Sequence, residues 1–288
     1  MSEKLKIGVV IVTFNNAKML RSVIDALLCQ TRIPDEIVVI DNASSDNTQE
    51  VIKEFQSVRY IRLDENTGSA GGFHEGIKIA SENNDFVMTL DDDIGLESNA
   101  IEIMERYLKT LSKEYNVGAL RCWFKESKRV EGIRRINSFA WRGTLLNRDA
   151  IRDVGLPIKK YFLYAEDAEY GYRIYKNGWD MFIIPEYLIT EKRKTDKLRF
   201  KFFGEKVFYK EKFRYYYAFR NQVNMYWKYR EWNKLFETVS YGIKVVVLLI
   251  IMKHIRSMGY IKAIINGFFD GLISRLGKNP KYLPEAKK

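Results

Sequence analysis

Near its start the chain carries a run of apolar residues, Leu5 to Thr13 (LKIGVVIVT), with no alternation between wet and dry positions. A continuous β-branched run is what a strand covered on both faces of a parallel sheet requires. The period then changes: Met19, Leu20, Val23, Ile24, Leu27 and Leu28 recur three and four apart, one stripe of a helix over 16–28. The same exchange repeats along the chain. Glu36–Ile40 (EIVVI) predicts a strand, Asp46 to Phe55 a helix opened by an N-cap residue type, and Val58–Leu63 a third strand. Ala70–Ser81 follows as a helix, Asp85–Leu90 (DFVMTL) as a strand and Asn99–Leu111 as a helix. Strands alternating with helices of about ten residues predict an α/β body with a parallel sheet wound by right-handed crossovers.

From Val117 the pattern is less regular, with strands expected near 117–123 and 137–146, a helix over Ala168–Asn177 stopped by Gly178, and a last strand at Asp180–Ile184. Beyond Lys192 the pattern fits helices, with 241–258 and 260–276 apolar on at least one face. The expected division is a catalytic-sized α/β domain over 1–191 and a helical C-terminal region over 192–288.

Composition narrows this reading. Over 288 residues, 46% hydrophobic and 30% charged, with 18 Gly and 5 Pro, the chain is folded rather than disordered or low-complexity. Cys29 and Cys122 stand far apart, which allows neither a disulfide framework nor a Cys-based zinc site and points to a reducing compartment. The opening MSEKLKIGVV has no apolar core of a signal peptide, and the longest clean apolar run, Val245–Met252, is far short of the roughly 20 residues that span a bilayer. The expectation is a protein neither secreted nor membrane-spanning. The net charge of +11 is concentrated at one end: residues 192–288 hold 23 Lys/Arg against 7 Asp/Glu, a balance of +16, leaving −5 for residues 1–191. Between Lys192 and Ser240 stand 15 aromatic residues, among them Phe202, Phe203, Tyr215, Trp227 and Trp232. A basic, aromatic end on a mildly acidic body suits docking on something anionic, a membrane leaflet or RNA.

Ligands of open α/β sheets bind beyond the carboxyl ends of strands, and here the polar residues collect at those ends. Thr13-Phe14-Asn15-Asn16, Asp41-Asn42, Asn66-Thr67-Gly68-Ser69-Ala70-Gly71-Gly72 and Asp91-Asp92-Asp93 follow strands one to four. Asp41 suits a base or ribose, and the glycines permit close backbone approach at a helix N-terminus, as a diphosphate needs. A tight packing turn is the competing use of those glycines. Three successive carboxylates repel one another unless a cation joins them. Mg2+ or Mn2+ takes carboxylate and phosphate oxygens, and Asp91 and Asp93, alternate residues, face one side. Glu166-Asp167, with Glu169, follows the aromatic stretch Tyr161-Phe162-Leu163-Tyr164; it is either an acidic first helical turn or the source of a general base. Trp141-Arg142-Gly143 offers a stacking surface with a cation beside it, unless the ring is core.

In their order and spacing, VIVTFNN, VVIDNASSDNT, NTGSAGGFHEG, MTLDDDI and FLYAEDAEYGYR resemble the family-2 inverting glycosyltransferases with the GT-A fold. The resemblance covers residues 5–191. The N-x-G-x-A-G-G segment, the DDD in place of DxD, the W-R-G strand and Tyr216-Tyr217-Ala218-Phe219-Arg220-Asn221 are similar to galactofuranosyltransferases and rhamnosyltransferases of bacterial cell-surface glycans. It implies a Rossmann-like, mostly parallel central sheet flanked by helices, with the C-terminal helices as an extension. Thr13, Phe14, Asn15 and Asp41 are implied to hold the nucleoside, and Asn66, Gly68, Ala70, Gly71 and Gly72 to line the diphosphate, with Asp92 beside the donor. Asp91 and Asp93 are implied to bind Mn2+ or Mg2+, and Asp167 to be the catalytic base, with Trp141, Arg142 and Glu166 toward the acceptor. Where the family often has a metal-binding histidine, this chain reads Ile189-Thr190-Glu191-Lys192, so either Glu191 is the substitute or two carboxylates and phosphate alone hold the metal; His74 and His254 are expected to play no ligand role.

The implied reaction moves a sugar, galactofuranose from UDP-galactofuranose or alternatively rhamnose from dTDP-rhamnose, onto a lipid-linked or growing polysaccharide acceptor. The expected setting is cytoplasmic, peripheral at the inner face of the cell membrane, with the lysine-bracketed apolar segment Lys244–Lys253 an in-plane membrane helix, a core helix of the C-terminal region or a homo-oligomer contact. A nucleic-acid-binding protein is the different-class alternative; it leaves the acidic clusters unexplained, and nucleic acid is not expected as a partner.

Overall fold

The computed structural model describes residues 5–125, 131–191, 199–202, 205–208, 211–251 and 257–284. The chain divides into two compact units, one of residues 1–158 and 167–194, the other of residues 159–166 and 195–288.

In the first unit the elements run β1 (Ile7–Thr13), α1 (Ala17–Leu28), β2 (Glu36–Asp41), α2 (Thr48–Ile52), β3 (Val58–Arg62), α3 (Gly68–Ala80), β4 (Phe86–Asp91), β5 (Ile94–Leu96) and α4 (Ala100–Leu111). There follow β6 (Val117–Phe124), β7 (Arg134–Arg135), β8 (Thr144–Asn147), α5 (Arg148–Val154), α6 (Glu166–Lys176) and β9 (Asp180–Glu191). The main sheet has the order β3-β2-β1-β4-β8-β6-β9-β5. The β3-β2-β1-β4 half is parallel, as the apolar runs predict. Beyond β4 the sheet is mixed, because β8 runs antiparallel to both β4 and β6 while β9 returns parallel to β6.

Both faces of the sheet are covered. Ile7, Val9 and Ile11 pack with Leu20, Ile24, Met104 and Leu108 of α1 and α4, whereas Val10, Val38 and Val87 pack with Phe73 and Ile77 of α3 and with Tyr170 and Ile174 of α6. Every one of these side chains is buried. The helix over β1 approaches closely because it carries glycine where it crosses: a Cβ on Gly76 would stand 2.3 Å from Val10 Cγ1, and one on Gly72 2.5 Å from Val12 Cγ1.

Three departures from the expected elements have physical causes. β9 runs on to Glu191 instead of stopping at Ile184; Pro185 breaks the ladder pattern, but shifts of register against β6 carry the strand past it and β5 supplies a second partner at Leu96–Ile189. α6 begins at Glu166, two residues early. The C-terminal region, expected to be all helical, contains an antiparallel hairpin, β10 (Arg199–Phe202) with β11 (Glu205–Phe208).

The second unit also holds α7 (Lys212–Lys228), α8 (Trp232–Ile251) and α9 (Ser257–Leu272). Its core is aromatic: Phe162, Phe213, Tyr215, Tyr216, Tyr217 and Phe219 cluster with Val245, Ala263 and Tyr282, and Tyr216 stacks on Tyr282 with centroids 4.2 Å apart. α9 lies tight on α7 through small residues, since a Cβ on Gly271 would meet the Arg220 carbonyl at 2.5 Å.

At Gly76, inside α3, alanine normally gains up to about 1 kcal/mol over glycine in a helix interior. The close approach of Val10 reverses the sign. Gly76→Ala is expected to lower unfolding free energy by about 1–3 kcal/mol, the cost of overpacking, measured by urea denaturation; a gain in stability contradicts this packing.

Candidate active site

The carboxyl ends of β1, β2 and β4 form one rim, and the loops after them are tied together. Asp92, the middle carboxylate of the trio, accepts hydrogen bonds from Thr13 Oγ1 (2.7 Å) and Asn16 Nδ2 (2.7 Å), with the Phe14 amide at 3.4 Å. Asn15, at φ 52°, accepts from the Ser45 amide at 2.7 Å and donates its own amide to Ser44 Oγ at 2.9 Å. Thr13 is therefore buried as a fastening, while Phe14 is 42% exposed and its ring lies open at the rim.

Asp41 has no exposed surface. Its Oδ2 accepts from Tyr60 Oη (2.6 Å) and Arg62 Nη1 (3.1 Å), and its Oδ1 from the Ser44 amide (2.8 Å). Burial, reinforced by that bond to the Asp41 carboxylate, pushes the Tyr60 hydroxyl up to about 12. Tyr60 and Arg62 escape the sequence reading; the signal was their alternation on β3, and Arg62 is the register partner of Asp41.

The Asn66 loop is an Asx turn, with Asn66 Oδ1 accepting from the Gly68 amide at 2.8 Å and Gly68 at φ 73°. Asn42 braces it by donating to the Gly68 carbonyl (3.1 Å) and accepting from Thr67 Oγ1 (3.0 Å). Ala70, Gly71 and Gly72 are buried in the first turns of α3. A Cβ on Gly71 would fall 2.2 Å from Thr67 Oγ1, so close packing accounts for the small residues at 71 and 72 without a ligand.

Asp91 and Asp167 meet around Arg142. Arg142 Nε lies 3.5 Å from Asp91 and its Nη1 lies 3.5 Å from Glu191, while its guanidinium covers the Phe124 ring at 5.2 Å. Glu191 returns to the rim because its register partner on β5 is Ile94, the residue after Asp93. Desolvation pushes the Asp91 carboxyl up to about 7; Arg142 opposes this and the neighbouring carboxylates of Asp93, Asp92 and Asp167 add to it. Asp92 rises to about 6, again through desolvation, held back by Thr13 and Asn16. Asp167 is also raised by desolvation, against the pull of the Ala168 amide, 2.7 Å from its Oδ1, and of Arg142 and Arg121. Arg121, on β6, is a further residue of this site that the sequence reading passed over.

The remaining expectations fare differently. Trp141 is buried against Phe73, 4.7 Å away and stacked, with Phe139 and Tyr170 around it. The ring lies in the apolar cluster that includes Phe73 and Ile77 of α3 and Tyr170 and Ile174 of α6, not open at the rim. Glu166 is buried at the first residue of α6, and Glu169 pairs with Arg173 at 3.2 Å. His74 bonds the Pro157 carbonyl through Nδ1 at 2.7 Å, a structural use; His254 lies outside the described residues. Among the described residues no three His, Cys, Asp or Glu side chains stand ready-grouped as metal ligands. The raised proton affinities of Asp91 and Asp92, with the Arg142 guanidinium beside Asp91, nonetheless fit a hard divalent cation, which Asp91 and Asp93 would hold. Glu191 is engaged by Arg142 and Asp92 by Thr13 and Asn16.

The α/β sheet thus gathers acidic residues at the carboxyl ends of its strands, with a further carboxylate, Asp167, in electrostatic reach of Asp91. Residues 8–169 match the model of glycosyl transferase family 2, and the chain belongs to that family. It is 28% identical over 171 residues to a poly-β-1,6-N-acetyl-D-glucosamine synthase of Staphylococcus epidermidis, covering 52% of this chain and 41% of the relative. It is 34% identical over 119 residues to the poly(ribitol-phosphate) β-N-acetylglucosaminyltransferase TarP of Staphylococcus aureus, covering 39% and 36%. The chain thus spans less than half the length of these curated relatives. Among solved structures, S. aureus TarS 1–349 in complex with UDP-GlcNAc superposes with a TM-score of 0.64 at 15% identity, covering 94% of this chain and 82% of that one. A mannosyltransferase from Pyrobaculum calidifontis in complex with GDP-Man and Mn2+ superposes with a TM-score of 0.61 at 14% identity, covering 95% and 89%. Both show the same fold.

The raised Asp91 carboxyl sets a pH dependence. Between about pH 4 and 7 the folded chain keeps a proton there that the unfolded chain has released, so stability from this group falls as pH rises through that window. Asp91→Asn, which fixes a neutral side chain of the same shape, is expected to raise the thermal midpoint at pH 8 without added metal, with the gain shrinking as pH falls toward about 4, where the carboxyl is protonated in both states. A midpoint at pH 8 no higher than the parent's contradicts the electrostatic reading.

Proposed function

We propose that the chain is an inverting glycosyltransferase that uses a nucleotide sugar. The observation that carries this is the meeting of Asp167 with the Asp91 end of the trio around Arg142 on the carboxyl rim of the sheet. A donor lying over the rim has its diphosphate beside the Asn66–Gly68 turn and its nucleoside toward Phe14 and the Asp41–Arg62 pair. Asp167 takes the proton of an acceptor hydroxyl as that oxygen bonds to the anomeric carbon. The bond to the diphosphate oxygen breaks on the opposite face, and configuration inverts. Burial raises the proton affinity of Asp167, which strengthens it as a base. Asp91 and Asp93 would hold Mn2+ or Mg2+, which when bound supplies positive charge to the leaving nucleoside diphosphate. Arg142 stands beside that position as a second cation, between the donor side and the acceptor side.

The donor proposed first is UDP-galactofuranose, from the sequence resemblance. UDP-N-acetylglucosamine stands second because the named activities of the curated relatives use N-acetylglucosamine, and dTDP-rhamnose completes the set. The acceptor proposed is a lipid-linked or growing surface glycan at the inner face of the membrane. No helix among the described residues is long and apolar enough to cross a membrane. Instead α8 exposes Phe236, Ile243, Val247 and Ile250, and α9 exposes Met258, Ile265 and Phe269. Ile243, Val247, Ile265 and Phe269 share the walls of one apolar groove of about 300 Å³. Lys244 and Lys262 lie on the same two helices, an arrangement suited to lying in the surface of an anionic leaflet.

A screen of the three donors for hydrolysis and transfer, with and without Mn2+, tests the activity. Asp167→Asn is expected to lower turnover by about 10²–10⁴-fold, the usual worth of a general base, with nucleotide affinity retained by calorimetry; near-parental turnover removes Asp167 from this role. In flotation with vesicles of phosphatidylglycerol and phosphatidylethanolamine, the chain is expected to float at low salt and Val247→Glu with Phe269→Glu to sink. Sedimentation of the unaltered chain overturns the membrane reading, and a concentration-dependent dimer dispersed by the same double change assigns the face to a second copy.

A further inference from the structure

The segment Tyr216-Tyr217-Ala218-Phe219-Arg220-Asn221 has no task in the sugar-transfer chemistry. In the structure its last two residues grip a stretch of backbone some 60 positions earlier. Asn221 Nδ2 donates to the carbonyls of Tyr161 (3.0 Å), Leu163 (2.8 Å) and Tyr164 (2.7 Å). Arg220 donates from Nη2 to the Tyr161 carbonyl (2.7 Å) and from Nη1 to the Gly277 carbonyl (2.5 Å). Its Nε donates to Asn221 Oδ1 at 2.8 Å, which orients the amide with its NH2 toward the loop. Both side chains are wholly buried, and the guanidinium lies over the Tyr217 ring at 4.7 Å. A further tie comes from one turn along α7, where Asn224 accepts from Tyr161 Oη at 3.0 Å.

The gripped stretch is the most strained part of the described backbone. Phe162, Tyr164 and Ala165 have φ of 65°, 66° and 61°, so three of the seven left-handed non-glycine residues fall within four positions. Residues with a Cβ seldom adopt this conformation, and it persists where surrounding contacts over-determine it. The carbonyls of Tyr161, Leu163 and Tyr164 turn away from any regular ladder and converge on the amide of Asn221, with Arg220 sharing that of Tyr161. The two residues that follow along the chain are Glu166 and Asp167.

We propose that Arg220 and Asn221 are positioning residues: their hydrogen bonds to the carbonyls of 161–164 hold the left-handed segment Phe162–Ala165 and so fix the backbone from which Asp167 presents its carboxylate. The proposal rests on the reading of Asp167 as the base. The clamp acts through main chain alone, which explains why an arginine and an asparagine are spent on carbonyl groups. It also explains how a strained loop without glycine is kept in one conformation.

The test uses the full chain with Asn221→Ala, with Ala165→Gly added to it, since glycine adopts the left-handed conformation without a Cβ penalty. Amide hydrogen exchange in peptides spanning 161–167 is expected to speed up by about tenfold or more in Asn221→Ala while the amides of β1 stay protected. The kcat for sugar transfer is expected to fall by roughly 10–100-fold, the scale of an ångström misplacement. UDP affinity by calorimetry should stay within about twofold, and the added Ala165→Gly should recover part of kcat. Unchanged exchange at 161–167 overturns the clamp. Faster exchange with parental kcat overturns its role toward Asp167, as does a parallel fall of kcat and UDP affinity. Should Asn221→Ala not fold, Asn221→Ser, which keeps one donor, serves in the same comparison. Exchange behaving as expected in a parent chain that transfers no sugar would overturn the glycosyltransferase reading and leave the clamp standing.

Discussion

Carboxylates cannot be gathered at a half-buried rim without opposite charge, and around Arg142 this constraint is visible. Asp91 lies on one side of the guanidinium and Glu191 on the other, with Asp167 acting on both Asp91 and Arg142 through space. Arg142 relieves only part of the repulsion, since Asp91 remains raised to about 7. A site left short of positive charge is poorly matched to itself, so the rim carries an electrostatic cost at Asp91.

The supporting structure keeps that tension local. Thr13 and Asn16 hold Asp92, and Tyr60, Arg62 and the Ser44 amide hold Asp41, so two of the four rim aspartates are fixed by neutral or paired partners. The rim is preorganised at those two positions and electrostatically open at Asp91. The glycines of α3 contribute from below by letting the helix settle on β1, which brings the Asn66 turn to the level of the strand ends.

The parallel half of the sheet was legible because each of its strands is a run of apolar residues covered on both faces, and such a run has few other uses. The mixed half was not, because β8 and β9 derive their pairing from partners far along the chain: Thr89 opposite Thr144, and Leu96 opposite Ile189. The β10–β11 hairpin carried a signal, Phe200, Phe202 and Val207 alternating with basic residues around a glycine, but the neighbouring helices masked it. At the site, Asp91 and Asp167 stood out as carboxylates after strands and before a helix. Arg62, Arg121 and the true use of Trp141 did not, since each depends on which strand or helix faces which. An aromatic residue beside an arginine reads the same in sequence whether its ring is open to a sugar or sealed against Phe73.

The grouping of residues 159–166 with the C-terminal helices makes the second unit discontinuous in sequence. During synthesis the left-handed turn at 162–165 emerges well before α7, whose side chains supply its hydrogen-bond donors. A truncation after β9 would leave the same carbonyls permanently without their donors and Tyr161 and Phe162 without their cover. The stretch 159–166 thus belongs in its packing with the C-terminal helices rather than with its neighbours in sequence.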